Sequence, residues 1–198
     1  VAGWSVKKAA IINYMSAHDN HTLWDKLALS NANNSVDERL AMNRVGAAIL
    51  MLSQGTPFMQ AGEEMLRTKN GDENSYKSSD DVNNINWEAL TPDSNEYKMM
   101  NYYKGLIELR KSSFVLTSQG QTSVSFNRLS SGGMTALFNS YKGESVLALI
   151  NPTSNADSHT LDGEWKLLSD GTQAGADVIE KVSGTINIPA YTVIILSK

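Results

Sequence analysis

The chain has 198 residues, a formal net charge of −4 and no cysteine. Its length suffices for one large domain or two small ones. The scattered charges form no basic stripe, so no nucleic-acid partner is expected, and the lack of cysteine excludes disulfides and thiolate metal sites. The longest apolar runs, residues 45–52 and 193–196, fall far short of the roughly 20 residues of a bilayer helix, so no membrane span is expected.

The first half of the chain alternates predicted strands with predicted helices. Residues 9–16 are nearly continuously apolar, as is typical of a strand covered on both faces, and residues 56–61 predict a second short buried strand. A polar cluster at 17–22 follows the first strand, and a long polar loop at 62–87 follows the second.

Two helices are predicted after these strands. Ser35 and Glu38 form a capping-box pattern, and Gly55 is a plausible stop. The apolar face of this helix is predicted to contain Val36, Leu40, Val45, Ile49 and Leu52. A later helix at 96–111 is predicted to present Met99, Tyr103, Leu106, Ile107 and Arg110 at helical intervals. Such alternation indicates parallel strands with helices outside, as in a barrel or a doubly wound sheet.

The second half contains short alternating strands separated by turn residues. These strands are predicted at 124–129, 135–141, 145–151, 164–169, 185–188 and 192–196. The pattern predicts an antiparallel β-sandwich. Trp87, Tyr141 and Trp165 are interpreted as core or domain-interface aromatics.

The polar cluster His18, Asp19, Asn20, His21 and Thr22 directly follows a predicted buried strand, where the loops of a barrel build active sites. Three interpretations remain open from spacing alone. Asp19 or Asn20 caps the next turn, the two histidines bind a metal that lacks a recognisable third ligand, or the cluster belongs to a Ser-His-Asp hydrolase that lacks a nucleophile elbow.

Sequence motifs resemble one enzyme family along essentially the whole chain. Residues 12–27, INYMSAHDNHTLWDKL, resemble the seventh-strand motif of glycoside hydrolase family 13 as found in type I pullulanases. Residues 55–64, GTPFMQAGEE, resemble the eighth-strand motif. Arg67, Lys69, 71–76 and 83–87 resemble the loop that follows that strand, and the part after Phe114 resembles the C-terminal β-domain.

The resemblance implies a specific architecture. Residues 1–112 would be the last two βα units, strands seven and eight with their helices, of a (β/α)8 TIM barrel. Residues 113–198 would be the antiparallel C-terminal β-sandwich. Two units cannot close a barrel, so the remaining N-terminal part of the barrel is an expected partner.

The resemblance also implies a function, as part of a retaining debranching hydrolase that cleaves α-1,6 bonds of pullulan, limit dextrin or amylopectin. Asp19 corresponds to the transition-state stabiliser and His18 to a sugar-binding histidine. The family's nucleophile and acid/base lie upstream of this segment, so the segment alone is expected to be inactive. The alternatives are an α-amylase or amylopullulanase and, from another class, a non-catalytic glucan-binding or structural fragment.

Further glucan contacts are expected from the two polar loops, with a solvated loop as the alternative. The candidates are Asn20, His21, Arg67, Asp72, Asn74 and Tyr76. Glu63 and Glu64 are expected to be structural. No cofactor is expected; calcium is possible in the complete enzyme through Asp72, Glu73, Asp80 and Asp81, although no EF-hand loop is present. An extracellular or cell-surface location is favoured because the substrates are large.

Overall fold

The computed structural model describes residues 10–117, 122–140 and 142–198. Residues 9 and 141, which belong to two of the predicted strands, lie outside these ranges. The first described range carries the helices, which are α1 (Leu23–Ser30), α2 (Val36–Leu52), α3 (Asp80–Asn83), α4 (Asn95–Ser112) and α5 (Phe114–Thr117). No helix in the described ranges has the length and apolar character needed to cross a membrane.

The helical region contains one parallel strand pair, β1 (Ile12–Asn13) and β2 (Thr56–Pro57). The parallel orientation confirms what the alternation of elements predicts. The predicted lengths of 9–16 and 56–61 are wrong, and so is the expected burial, because Ile12 is 63% exposed and Phe58 is also exposed. Among the described residues each strand has one neighbour, so its other edge has no ladder partner that would extend it.

The start of α2 forms as the capping box predicts. Ser35 Oγ accepts from Glu38 N (3.1 Å), and Glu38 Oε2 accepts from Ser35 N (2.7 Å). This backbone hydrogen bond lowers the pKa of Glu38. The helix ends at Leu52 with Ser53 as C-cap, two residues before Gly55, which has a left-handed φ of 112°.

The predicted apolar face of α2 is only partly correct. Leu40, Val45 and Leu52 are buried, but Val36 and Ile49 are exposed. On α4, likewise, Met99, Tyr103, Leu106 and Arg110 are buried while Ile107 is exposed.

Helix α4 packs against α2 and approaches the loop at residues 170–175. Gly105 permits this close approach, because a Cβ there would lie 1.8 Å from the carbonyl oxygen of Ala174. Arg110 donates from Nη1 to Ser53 O and from Nη2 to Gly55 O, both at 2.8 Å. The Arg110 side chain therefore links α4 to the C-terminal end of α2.

The structure adds elements that the sequence pattern did not predict. Helix α1 begins after Thr22, whose Oγ1 accepts from Asp25 N (3.1 Å), so the proposed caps Asp19 and Asn20 are wrong. The polar loop at 62–87 holds α3 and short 3-10 turns at Glu63–Met65 and Ser75–Lys77.

The second half is antiparallel, as predicted. Its strands are β3 (Thr122–Arg128), β4 (Met134–Ser140), β5 (Ser145–Asn151), β6 (Asp157–Thr160), β7 (Trp165–Ser169), β8 (Glu180–Val182), β9 (Thr185–Ile188) and β10 (Thr192–Ser197). Six of them form one sheet in the order β3-β4-β5-β10-β7-β8, and β6 pairs with β9. Strands β6 and β8 were not predicted.

The six-stranded sheet has a core on each face. Alternate residues such as Val146 and Ala148 of β5 pack with the helices, and Leu147 and Leu149 pack on the other side with Ile188 of β9. The second layer of the predicted sandwich therefore has two strands, and helices cover the opposite face.

Two of the aromatic side chains predicted to lie in a core or interface differ in burial. Trp165 is buried, and its Nε1 donates to Asp162 Oδ1 (2.8 Å), whereas Trp87 is exposed and its assignment to a core or interface is wrong within the described chain.

Candidate active site

The turn between β1 and α1 presents two exposed titratable side chains. The side chain of His18 is 90% exposed and that of Asp19 is 81% exposed, with 3.6 Å between His18 Nε2 and Asp19 Oδ1. Asn20 has a left-handed φ of 63°, a conformation that asparagine adopts more readily than most residues. The backbone therefore turns sharply directly after Asp19 and leaves its carboxylate open to solvent.

The second histidine of the cluster lies in a different environment. His21 is mostly covered, and its Nδ1 lies 3.8 Å from Glu73 Oε2 in the loop after β2. Within residues 10–117, 122–140 and 142–198, no three His, Asp or Glu side chains are grouped as metal ligands would be.

The loops after β1 and β2 start from the same edge, because the two strands are parallel. A buried carboxyl joins them at their base: Ser16 Oγ donates to Glu63 Oε2 (2.5 Å) and Tyr103 OH donates to Glu63 Oε1 (3.2 Å). Burial raises the pKa of Glu63, against the lowering effect of these two donors. Glu64 Oε2 accepts from Gly62 N (3.1 Å).

A second connection between the loops involves Asp25 and Lys69. Asp25 is buried on α1 and accepts from Thr68 Oγ1 and from Lys69 N, the latter at 2.7 Å. Lys69 is only 1% exposed, and its Nζ donates to His18 O (3.3 Å). Sequence reasoning did not assign a role to either residue, because the contact between Lys69 and His18 spans 51 positions.

The three loop candidates after Lys69 differ in what they can offer a ligand. Asp72 accepts from Ser78 Oγ (2.5 Å) and Asn74 N (2.9 Å), and the bond from Ser78 is the main cause of its lowered pKa. Asn74 is exposed, and the ring of Tyr76 is also exposed, with Lys77 Nζ 5.1 Å from its centroid. Tyr76 thus presents an open aromatic face.

Arg67 is held within its own loop. It donates from Nη1 to Ala61 O (3.1 Å) and from Nη2 to Asn83 O. It borders a polar cavity of about 330 Å³ whose lining includes neither His18 nor Asp19. The structure therefore brings His18, Asp19 and Asn20 together, with His21 and Asp72 nearby, and places Arg67 at a separate cavity.

Comparisons with known proteins agree on one group. No family model matches the chain. It is 41% identical to a pullulanase of Bacillus subtilis over 100 residues, which cover 50% of this chain and 14% of that protein.

Two solved structures cover 96% of the chain. The pullulanase of Bacillus acidopullulyticus matches with a TM-score of 0.87 and 30% identity over 24% of its length. A type I pullulanase of B. subtilis complexed with maltose matches with a TM-score of 0.80 and 25% identity over 28% of its length. The chain thus spans a minor part of each of these proteins. It is type I pullulanase-like in sequence and in fold, and it matches a C-terminal portion of these glycoside hydrolases.

Proposed function

We propose that the chain is part of a retaining debranching hydrolase that cleaves α-1,6 bonds in branched α-glucans such as pullulan, limit dextrin or amylopectin. Asp19 is its transition-state-stabilising carboxylate and His18 binds the same sugar. The observation that carries this proposal is the exposed His18–Asp19 pair at the carboxyl end of a parallel strand, within a pullulanase-like sequence.

The proposed chemistry requires a carboxylate that is open to the substrate. A retaining glycosidase passes through an oxocarbenium-like transition state, and contacts with sugar hydroxyls that strengthen there contribute several kcal/mol. Asp19 meets this requirement because its carboxylate is exposed, whereas Glu63 does not because it is buried. The nucleophile and the acid/base come from strands upstream, so the segment alone is inactive.

The same proposal covers the architecture. The pair β1–β2 with the helices that follow each strand forms the last two βα units of a (β/α)8 barrel, and the division from the β-sandwich lies between residues 112 and 113. The open edges of β1 and β2 support this proposal, since they offer backbone groups and apolar side chains to the rest of the barrel.

The loop residues take graded roles in this proposal. Asn20, His21 and Asn74 offer polar groups, and Tyr76 offers a ring on which a sugar stacks. Asp72 contributes the negative charge of its carboxylate, and Arg67 mainly holds the loop. Both side chains already form hydrogen bonds within that loop. The B. subtilis structure complexed with maltose supports an α-glucan ligand. The proposed enzyme needs no cofactor and acts outside the cell or at its surface.

The test is Asp19→Asn in the complete enzyme, meaning this segment together with its upstream carboxylates. We expect kcat on pullulan, measured as maltotriose release, to fall by about 10²–10³-fold with little change in KM, because preorganised charge acts in the transition state. Asp177→Asn, at an exposed position in the sheet region, is the matched control. Near-normal turnover of the Asp19 variant, or maltotriose release by the segment alone, contradicts the proposal.

A further inference from the structure

We infer that Lys69 is a positioning residue for the proposed reaction: its buried ammonium holds the peptide group between His18 and Asp19 and so fixes the direction of the Asp19 carboxylate. This inference rests on the proposed function. Lys69 does not touch the substrate in this account, because its side chain is covered.

Burial of the Lys69 side chain needs an explanation. Transferring an ammonium from water to a protein interior costs several kcal/mol unless the charge is paired and hydrogen-bonded. In the part of the chain that the structure describes, no carboxylate lies within ion-pair distance of Lys69, although its charge interacts with that of Asp72, and Lys69 Nζ donates to a single acceptor, the carbonyl of His18. A methionine would fill similar space without a charge, so the hydrogen bond to His18 and the attraction to Asp72 are the specific contributions of the lysine.

The acceptor carbonyl occupies a sensitive position. It belongs to the peptide group that links His18 to Asp19, and the left-handed residue Asn20 comes next. Within the described ranges, the bond from Lys69 is the one hydrogen bond to the backbone of residues 17–21. Without it, the turn that carries the two exposed side chains is held by Ser16 and Thr22 at its ends and by the approach of His21 to Glu73.

The backbone of Lys69 is also held by a residue close to the turn. Asp25 holds the backbone N of Lys69 and the hydroxyl of Thr68, and Asp25 lies on α1, the helix that begins directly after the turn. These contacts form a closed ring. The chain runs from His18 into α1, Asp25 of α1 accepts a hydrogen bond from Lys69 N, and Lys69 Nζ donates back to His18 O. Movement of the loop after β2 is therefore transmitted to the turn that carries Asp19.

The first test measures the turn itself. In Lys69→Met, we expect the backbone ¹⁵N order parameters of Asp19 and Asn20 to fall from about 0.85 to below about 0.6, the values of rigid and flexible backbone. Lys98→Met, at an exposed position on α4, is the matched control and should leave both values unchanged. Unchanged order parameters in folded Lys69→Met overturn the inference without reference to catalysis.

The second test uses the complete enzyme. We expect Lys69→Met to lower kcat on pullulan about 10- to 100-fold with KM within about threefold, because a misplacement near 1 Å costs about that much. Lys69→Arg keeps a cationic donor and should retain most of kcat. A merely structural residue would instead reduce the folded fraction and leave kcat per folded molecule unchanged.

The outcomes separate this inference from the proposed function. If Asp19→Asn abolishes turnover and folded Lys69→Met has normal kcat, the inference fails and the proposed function stands. If Asp19→Asn is fully active, the proposed function fails, and the order parameters still decide whether Lys69 holds the turn. If Lys69→Met does not fold, Lys69→Arg decides: order parameters of Asp19 and Asn20 below about 0.6 with unchanged kcat overturn the inference, and retained order parameters with kcat within tenfold support it.

Discussion

The helical region (residues 10–117) and the sheet region (residues 122–140 and 142–198) differ in how far they bury their apolar strands. In the sheet region, β10 lies between β5 and β7 with a packed core on each face, and residues 193–196 are at most 7% exposed. In the helical region, residues 11–12 are also apolar, but among the described residues β1 pairs with β2 alone, and Ile12 is 63% exposed. Burial of a strand thus depends on the number of its neighbours more than on its composition.

This difference bears on the proposed function. The sheet region supplies its own partners on both faces, whereas β1 and β2 leave an apolar surface that includes Ile12, Tyr14 and Phe58. The rings of Tyr14 and Phe58 contact each other edge to face at 6.1 Å between centroids. Such a contiguous surface is typical of an interface, and in our proposal the upstream barrel strands cover it.

The largest expected effect comes from paired truncations in the two regions. Leu149→Ala, in the fully buried core of β5, should lower the free energy of unfolding by about 2–5 kcal/mol, because it removes transfer energy and leaves a cavity. Ile12→Ala should change it by less than about 0.5 kcal/mol. Urea unfolding of both variants measures the difference. Equal losses would show that β1 is covered in solution by something in the chain itself.

Local sequence signals predicted much of the fold. The capping box of Ser35 and Glu38 and the apolar spacing of α4 are read within one or two turns, so both helices form near their predicted positions. The strand lengths of β1 and β2 could not be read in this way, because ladder partners elsewhere in the chain decide them. Strand β6 was missed because it has four residues, all of them polar, which leaves no apolar alternation to detect.

The candidate site was only partly readable. A motif in one continuous stretch placed His18, Asp19 and Asn20 on one turn, and the structure agrees. The groups that hold this turn, Glu63 and Lys69, come from a loop more than 40 positions away. No periodicity links residues at such separations, so the sequence marked the exposed groups and assigned Glu63 a structural role without its contact to Ser16, and it missed Lys69.

The next largest effect is expected at the junction of α2 and α4. Arg110→Met should destabilise the chain by about 1–3 kcal/mol, because the carbonyls of Met51, Ser53 and Gly55 lose a buried donor. Arg110 is 9% exposed, and this burial lowers the pKa of its guanidinium. Lys111→Met, on the exposed side of the same helix, is the control for urea unfolding. Equal stability of the two variants would mean that water satisfies these carbonyls equally well.

A smaller effect is expected from the pH dependence of stability at Glu63. Burial raises the pKa of Glu63 above the ordinary value of 4.5, so above that pH the folded chain binds a proton that the unfolded chain releases. The free energy of unfolding therefore falls as pH rises from 4.5 to the folded-state pKa, and it is independent of Glu63 below both values.

Glu63→Gln cannot ionise and should lack this decline. We expect the variant to gain stability relative to the unaltered chain as pH rises above 4.5 towards the folded-state pKa of Glu63, as measured by urea unfolding at each pH. Glu108→Gln, at an exposed position on α4, is the control. A relative loss of stability for Glu63→Gln over this range would show that the carboxylate form is favoured by its bonds to Ser16 and Tyr103.

The smallest effect is expected at Lys181, although its hydrogen bond is shorter than that of Lys69. Lys181 Nζ lies 2.8 Å from Glu164 Oε1, and both side chains are more than 60% exposed, whereas Lys69 Nζ lies 3.3 Å from its acceptor and is buried. Solvent screens the exposed pair, and ordering two long side chains opposes the attraction between them. Lys181→Met should therefore leave the melting temperature unchanged at physiological salt, whereas Lys69→Met should shift it by more. If Lys181→Met is the more damaging change, distance rather than burial decides the strength of these contacts, and the argument for Lys69 as a positioning residue loses its energetic basis.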